Sequence, residues 1–151
     1  MTPSRPRPNI DEDNRPFWEA VQERRFVLMR CQECGRWYWP AAYCRHHRNA
    51  PFFGSLRWEP ASGRGRVFVC NIHRRAFHPA FEVPYVFALI ELEEGPMFGS
   101  NIIGCPVEDV RVGMPVEIAF TEVEDGVVLP LFRPSAPDPS GANVSTEGAR
   151  A

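Results

Sequence analysis

Between residues 66 and 132 the apolar positions recur in short, separated runs with the period of a strand. Residues 66–73 alternate, with Phe68, Cys70 and Ile72 on one side and Val67, Val69, Asn71 and His73 on the other. Tyr85–Leu92 is almost wholly apolar and predicts a strand buried on both faces. Residues 97–103 predict a third strand, joined to the second through the turn Glu93-Glu94-Gly95-Pro96. Residues 106–110 predict a single helical turn. Val116, Ile118 and Phe120 then alternate with Glu117, Ala119 and Thr121 as a fourth strand, and residues 127–132 form a fifth after the turn Glu124-Asp125-Gly126. Five short strands with one helical turn between the third and fourth predict an OB-type barrel, because closing the sheet removes the edges that separate strands would expose.

The first half of the chain carries a different pattern. Residues 1–13 are rich in Pro and charge and predict an extended arm. Asn14 is placed to cap a short helix with Pro16 in its first turn and Phe17, Trp18 and Val21 on one face. A helix of under three turns does not hold by itself, so Phe17 and Trp18 dock either on this chain's core, the ordinary outcome, or on a partner. Residues 26–30 predict a strand, Trp37-Tyr38-Trp39-Pro40 a second, and residues 58–64 a turn-rich bridge. From Ser135 onward the composition predicts a flexible tail. The expected division is arm and docking helix 1–25, a small ribbon module 26–58, barrel 59–134 and tail 135–151.

The candidate chemistry lies between the first two strands, at Cys31-Gln32-Glu33-Cys34-Gly35 and Cys44-Arg45-His46-His47. Two cysteines two residues apart let a tight turn aim both sulfurs at one point, and a glycine after the second relieves the backbone there. Cys31, Cys34, Cys44 and His47 make a closed Cys3His tetrahedron for Zn2+, with His46 as the competing fourth donor. Four protein ligands leave no position for water, so the metal is expected to be structural. Reduced buried cysteines without metal, or a three-ligand catalytic zinc, are the alternatives.

Charge and composition narrow the function classes. The 151 residues carry a net charge of −2, yet residues 24–75 hold eleven Arg against Glu33 and Glu59, while residues 76–133 hold ten acids against Arg111 and Arg133. All seventeen basic residues are Arg, a side chain suited to planar, bidentate contacts. A basic front suits an anionic partner, whether nucleic acid, a phosphorylated cofactor or an acidic protein face, or else is a solvated surface. The aromatic run 37–39 either stacks on bases or replaces a missing core. With no long apolar run and no signal-peptide pattern, the chain is expected to be soluble and cytoplasmic, and five cysteines do not predict a disulfide framework. No phosphate loop, dinucleotide fingerprint or nucleophile elbow is present. Cys70 is expected to be an inert core thiol and Cys105 is the weaker nucleophile candidate. The loop after the first barrel strand gathers His73, Arg74, Arg75, Phe77 and His78, a mixture able to grip a phosphate and cover an apolar or aromatic group.

Taken in order, Phe17-Trp18-Glu19-Ala20, the ribbon cysteines, Ser62-Gly63-Arg64-Gly65, the His-containing loop, Pro84-Tyr85-Val86, Glu94-Gly95-Pro96, Val110-Arg111-Val112-Gly113-Met114-Pro115-Val116 and Leu129-Pro130-Leu131-Phe132 resemble one family. It is the acyl-CoA-associated zinc-ribbon/OB-fold family, long labelled a domain of unknown function, and the likeness runs over residues 14–134. The resemblance implies a mostly β chain with an N-terminal helix, a rubredoxin-like zinc ribbon and a five-stranded OB-fold barrel. It further implies a non-catalytic subunit that supports a thiolase-like catalytic partner in acyl-CoA chemistry and helps position CoA. His47 departs from the family's usual fourth cysteine. A single-stranded nucleic-acid-binding module is the alternative function, from a different class.

Overall fold

The computed structural model describes residues 5–46 and 54–136. The helix α1 (Arg15–Gln22) leads into a three-stranded sheet of β1 (Val27–Cys31), β2 (Trp37–Tyr38) and β3 (Leu56–Pro60), with β1 at its centre. A closed barrel follows, built from β4 (Arg64–His73), β5 (Tyr85–Leu92), β6 (Met97–Ile102), β7 (Pro115–Glu122) and β8 (Val128–Pro134) in the order β4-β5-β6-β8-β7. A 3-10 turn at Val107–Asp109 sits between β6 and β7, as the pattern predicts. The chain is therefore mostly β, a zinc-ribbon sheet joined to an OB-type barrel. Among the described residues no helix is long and apolar enough to cross a membrane.

β3 corrects the expected turn-rich bridge. Leu56 to Pro60 pairs antiparallel with β1 along its whole length, from Cys31 opposite Leu56 to Val27 opposite Pro60. Pro60 ends the strand on the sheet's edge, where its missing N–H costs no ladder bond. The predicted cap is also corrected. Asn14 stands at the helix N-terminus but its side chain does not cap it. Its carboxamide oxygen accepts from the Asp11 N–H at 3.0 Å, and its NH2 donates to the Asn9 carbonyl at 3.0 Å, so it organises the arm. That arm lies on the barrel, through the Arg7–Asp125 ion pair at 2.8 Å and the Arg5 guanidinium 5.3 Å from the Phe81 ring centre. Of the arm and tail expected at the two ends, residues 1–4 and 137–151 lie outside the described residues.

Alternation along the strands fills the barrel. Val67, Val86, Ala88, Ile90, Leu92, Phe98, Ile102, Val116, Val128 and Phe132 are buried in one core with Phe17, Ala20 and Val21 of α1 and Phe26. Gly65 marks a close backbone approach: a Cβ there would lie 2.5 Å from the Glu91 carbonyl oxygen of β5, so no side chain fits. α1 closes onto β8 by polar contacts too. Gln22 donates to the Val128 carbonyl at 3.1 Å and accepts from the Val128 N–H at 3.0 Å, as a neighbouring strand would.

The structure places Phe17 in the chain's own core, at 0% exposure, and this removes it as a partner-docking residue. Its ring lies 4.2 Å from Trp39, 6.0 Å from Phe98 and 6.2 Å from Phe26, which joins helix, ribbon and barrel. Trp18 is half-buried; one edge meets Phe17, and its remaining surface lines a groove of about 380 Å³ with Pro8, Ile10 and Val127.

Candidate functional site

Cys31 ends β1, where its N–H donates to the Arg36 carbonyl at 2.8 Å and its carbonyl accepts from the Gly35 N–H at 2.9 Å. This turn requires Gly35 at φ +72°, a conformation in which a side chain is strained. The turn brings Cys34 back beside Cys31, and the segment after β2 brings up Cys44. The three sulfurs lie within 4.8 Å of one another, with Cys34 and Cys44 at 3.6 Å. Thiolates about 2.3 Å from a tetrahedral zinc stand roughly 3.8 Å apart, so this spacing suits Zn2+. Three soft sulfur donors, two of them buried, do not suit a hard cation that takes oxygen ligands. His46 is exposed and is not part of the cluster, while His47 lies outside the described residues.

Electrostatics in the cluster follow from crowding three sulfurs. At Cys34 the Arg36 backbone N–H favours the thiolate, but burial and the sulfurs of Cys44 and Cys31 leave the thiol raised above its ordinary value. Burial opposes the Cys44 thiolate, yet the Tyr38 hydroxyl, the His46 backbone N–H and Cys34 outweigh it and leave the thiol lowered. The Tyr38 hydroxyl lies 3.1 Å from the Cys44 sulfur and accepts from the Arg45 N–H at 3.3 Å, so its own proton is directed to the sulfur. Burial, then Cys44, push the Tyr38 phenol up, and it keeps that proton. Tyr38 is a supporting residue that sequence reasoning missed, because it sits in a run read only as aromatic packing. Glu59 of β3 braces the knuckle from the other side. It accepts from Gln32 at 2.8 Å and Arg30 at 3.3 Å, and these bonds hold its carboxyl below the ordinary range.

The aromatic run resolves as packing. Trp39 meets Phe17, Phe98 at 5.1 Å and Trp58 at 6.2 Å, and Trp37 lies under the Arg30 guanidinium at 5.2 Å. Neither cysteine outside the ribbon resembles an activated nucleophile. Cys70 packs against the barrel core. Burial, then the charge of Asp109, push the Cys105 thiol up, the reverse of what attack requires.

The loop 74–84 is built around a stack. His73 and Tyr85 face each other across β4 and β5, their rings 4.8 Å apart and nearly parallel at 11°. Phe77 meets the edge of His73 at 5.3 Å and is 82% exposed, and Phe81 lies against Tyr85 at 5.7 Å. His78 accepts from the Ala80 N–H on Nδ1 at 3.2 Å. Arg74 reaches Glu108 at 3.5 Å, and Arg75 is exposed. The structure thus brings His73 and Phe77 into ring contact, with Tyr85 as the partner that sequence reasoning missed, and leaves Arg74, Arg75 and His78 along the same loop.

A family described as "ChsH2, rubredoxin-like zinc ribbon domain" matches residues 18–46, and one described as "ChsH2, C-terminal OB-fold domain" matches residues 58–121. The chain is 38% identical, over 88% of its own length, to the "Probable enoyl-CoA hydratase alpha subunit" of Thermomonospora curvata, and spans 41% of that protein. It is 34% identical to a "DUF35 domain-containing scaffold protein" of Methanocaldococcus jannaschii, over 74% of this chain and 82% of that one. A solved chain of the "Ltp2-ChsH2(DUF35) aldolase" superposes with a TM-score of 0.75 at 36% identity, over 85% of this chain and 98% of that one. A zinc ribbon carrying the Cys31, Cys34 and Cys44 cluster, followed by an OB barrel and matched to relatives at this identity and coverage, makes this chain a member of the DUF35 family.

Proposed function

We propose that this chain is a non-catalytic, zinc-containing subunit of a thiolase-type acyl-CoA enzyme complex. It supports a thiolase-like catalytic subunit in the cleavage or formation of a carbon–carbon bond. The observation that carries the reading is the likeness, over nearly the whole of that chain, to the DUF35 component of a two-protein aldolase. The relatives named as an enoyl-CoA hydratase subunit and as a scaffold protein support the same assignment. The disposition of the cysteines agrees with it: three are drawn into the ribbon, and the other two are packed or have a disfavoured thiolate. Cys31, Cys34, Cys44 and His47 hold the zinc in this reading, and the metal's part is to fold the ribbon. The nucleic-acid reading is weakened by the engagement of the Arg side chains. Arg64 pairs with Glu93 at 3.1 Å, Arg30 with Glu59 at 3.3 Å and Arg24 with Glu122 at 3.7 Å, so part of the basic front is already neutralised.

Within the complex, the 74–84 loop is the segment this reading gives to CoA. The exposed Phe77 face offers stacking, and Arg74 and Arg75 offer charge-assisted bonds to phosphate. In the assembled complex, replacing both arginines with alanine is expected to raise the KM for acyl-CoA about tenfold, roughly 1.4 kcal/mol, without changing the far-UV spectrum of the barrel. An unchanged KM would remove the loop from the CoA site. The purified chain alone is expected to turn over no acyl-CoA, and cleavage or condensation by the isolated chain would overturn the subunit reading.

A further inference from the structure

β5 departs from its sequence pattern in a way that exposes a surface. Its apolar run predicts burial on both faces, but Val86, Ala88, Ile90 and Leu92 alone point inward, and Phe87 and Leu89 stand on the outside. A bulge between Val67 and Val69 adds to this by turning both Phe68 and Val69 outward on β4. Strand register sets these side chains beside one another. Val69 is opposite Leu89 and Leu89 opposite Gly99; Asn71, Phe87 and Asn101 form the next row, and Glu91 and Met97 are opposite each other. Phe68, Val69, Phe87, Leu89 and Met97 are between 36% and 55% exposed.

Gly99 makes this face flat. A Cβ there would lie 3.0 Å from Cζ of Phe87 and 3.5 Å from Cδ2 of Leu89, so both side chains rest across β6. With about 150–250 Å² on each large side chain, the exposed apolar area is on the order of 400 Å². That is the size of the largest apolar patch on a typical monomer, which is often functional, and about half of one partner's share of a standard interface, roughly 800 Å². Its charge lies at the rim, where Arg66 and Glu91, of opposite sign, stand opposite each other in the register. A centre of Phe, Leu, Val and Met without charge is the composition of an interface core. It offers nothing to a phosphate backbone and no cationic fringe for an anionic membrane.

We propose that this outer face of β4, β5 and β6 is where the thiolase-like catalytic subunit docks, through an uncharged apolar patch on that subunit. The proposal rests on the subunit reading above and specifies the surface it uses. The test takes the full chain, wild type and carrying Leu89→Arg or the milder Phe68→Ser, with the thiolase-like subunit that the tagged wild-type chain retains. Sedimentation gives the state of each chain alone, titration gives the affinity for that subunit, and hydroxyl-radical footprinting reads Phe68, Phe87 and Met97 in the wild-type complex. The expected result is a monomeric wild-type chain, a loss of affinity of at least about tenfold with Leu89→Arg at unchanged melting temperature, a smaller loss with Phe68→Ser, and protection of the three footprinted residues. Wild-type affinity in both variants, or no protection, would overturn the docking face and leave the subunit reading standing. A wild-type dimer split by Leu89→Arg would assign the face to a second copy of this chain. Failure of the wild-type chain to retain any thiolase-like subunit would overturn the subunit reading, and this proposal with it.

Discussion

Removing zinc, or replacing Cys31 with serine, is expected to unfold the ribbon. Its sheet has a two-residue β2 and five-residue β1 and β3, and its own buried cluster is Cys31, Cys44 and Leu56. Half-buried Met29, Cys34, Tyr38 and Ala41 are the remaining apolar cover at the metal end, while Val27, Leu28, Trp37, Trp39 and Trp58 pack on the main core. The small apolar cluster at the metal end does not offset the ordering of its backbone, which costs about 1–2 kcal/mol per residue. Zinc binding contributes about 10–16 kcal/mol to modules of this kind, and the ribbon depends on that contribution. Three of the four tryptophans, Trp37, Trp39 and Trp58, belong to this sheet or its flank, so near-UV circular dichroism and tryptophan emission report the ribbon directly. Chelation, or Cys31→Ser, should collapse those signals while leaving much of the far-UV strand signal of the barrel. A metal-free protein with unchanged near-UV signal and melting temperature would contradict a zinc-dependent ribbon.

Phe17→Ala is expected to cost about 3–5 kcal/mol, the usual range for emptying a fully buried aromatic site. Phe17 has no exposure and meets five aromatic rings, Trp18, Phe26, Trp39, Trp58 and Phe98, which belong to the helix, the ribbon and the barrel. The site cannot collapse from one side, because the walls of the cavity belong to separate elements held by their own ladders. For a chain of this size the melting temperature should fall by about 6–20 °C. Trp18→Ala should cost less, since part of Trp18 already faces the groove beside Ile10. Thermal denaturation of the two variants checks the order. A Phe17→Ala chain within about 1 kcal/mol of wild type would show that the helix does not lock ribbon to barrel.

Much of this was legible because the signals are local. The spacing of Cys31, Cys34 and Cys44 depends on one turn, and the turn residues Glu93 to Pro96 and Glu124 to Gly126 act on the strands beside them. The misreadings came from tertiary context. Pro60, Ser62 and Gly63 carry turn chemistry that hid β3, which exists because β1 offers it an edge. The bulge at Val67 and Val69 shifts Phe68 to the outside while Cys70 and Ile72 stay on the core side, and no residue there announces it. The apolar outer face of β5 resembles a core strand in sequence because a protein-docking face and a core use the same residue types. Tyr38 and Tyr85 escaped notice as site residues for a related reason: a tyrosine's role depends on what lies across from it, Cys44 in one case and His73 in the other.

The most direct test of the subunit assignment is recovery of the tagged chain from its native cells, with metal content measured on the same material. The account predicts a thiolase-like protein in fixed proportion, acyl-CoA turnover by the recovered complex, and about one zinc per chain. Recovery of the chain alone, or with single-stranded nucleic acid released by salt, would contradict it.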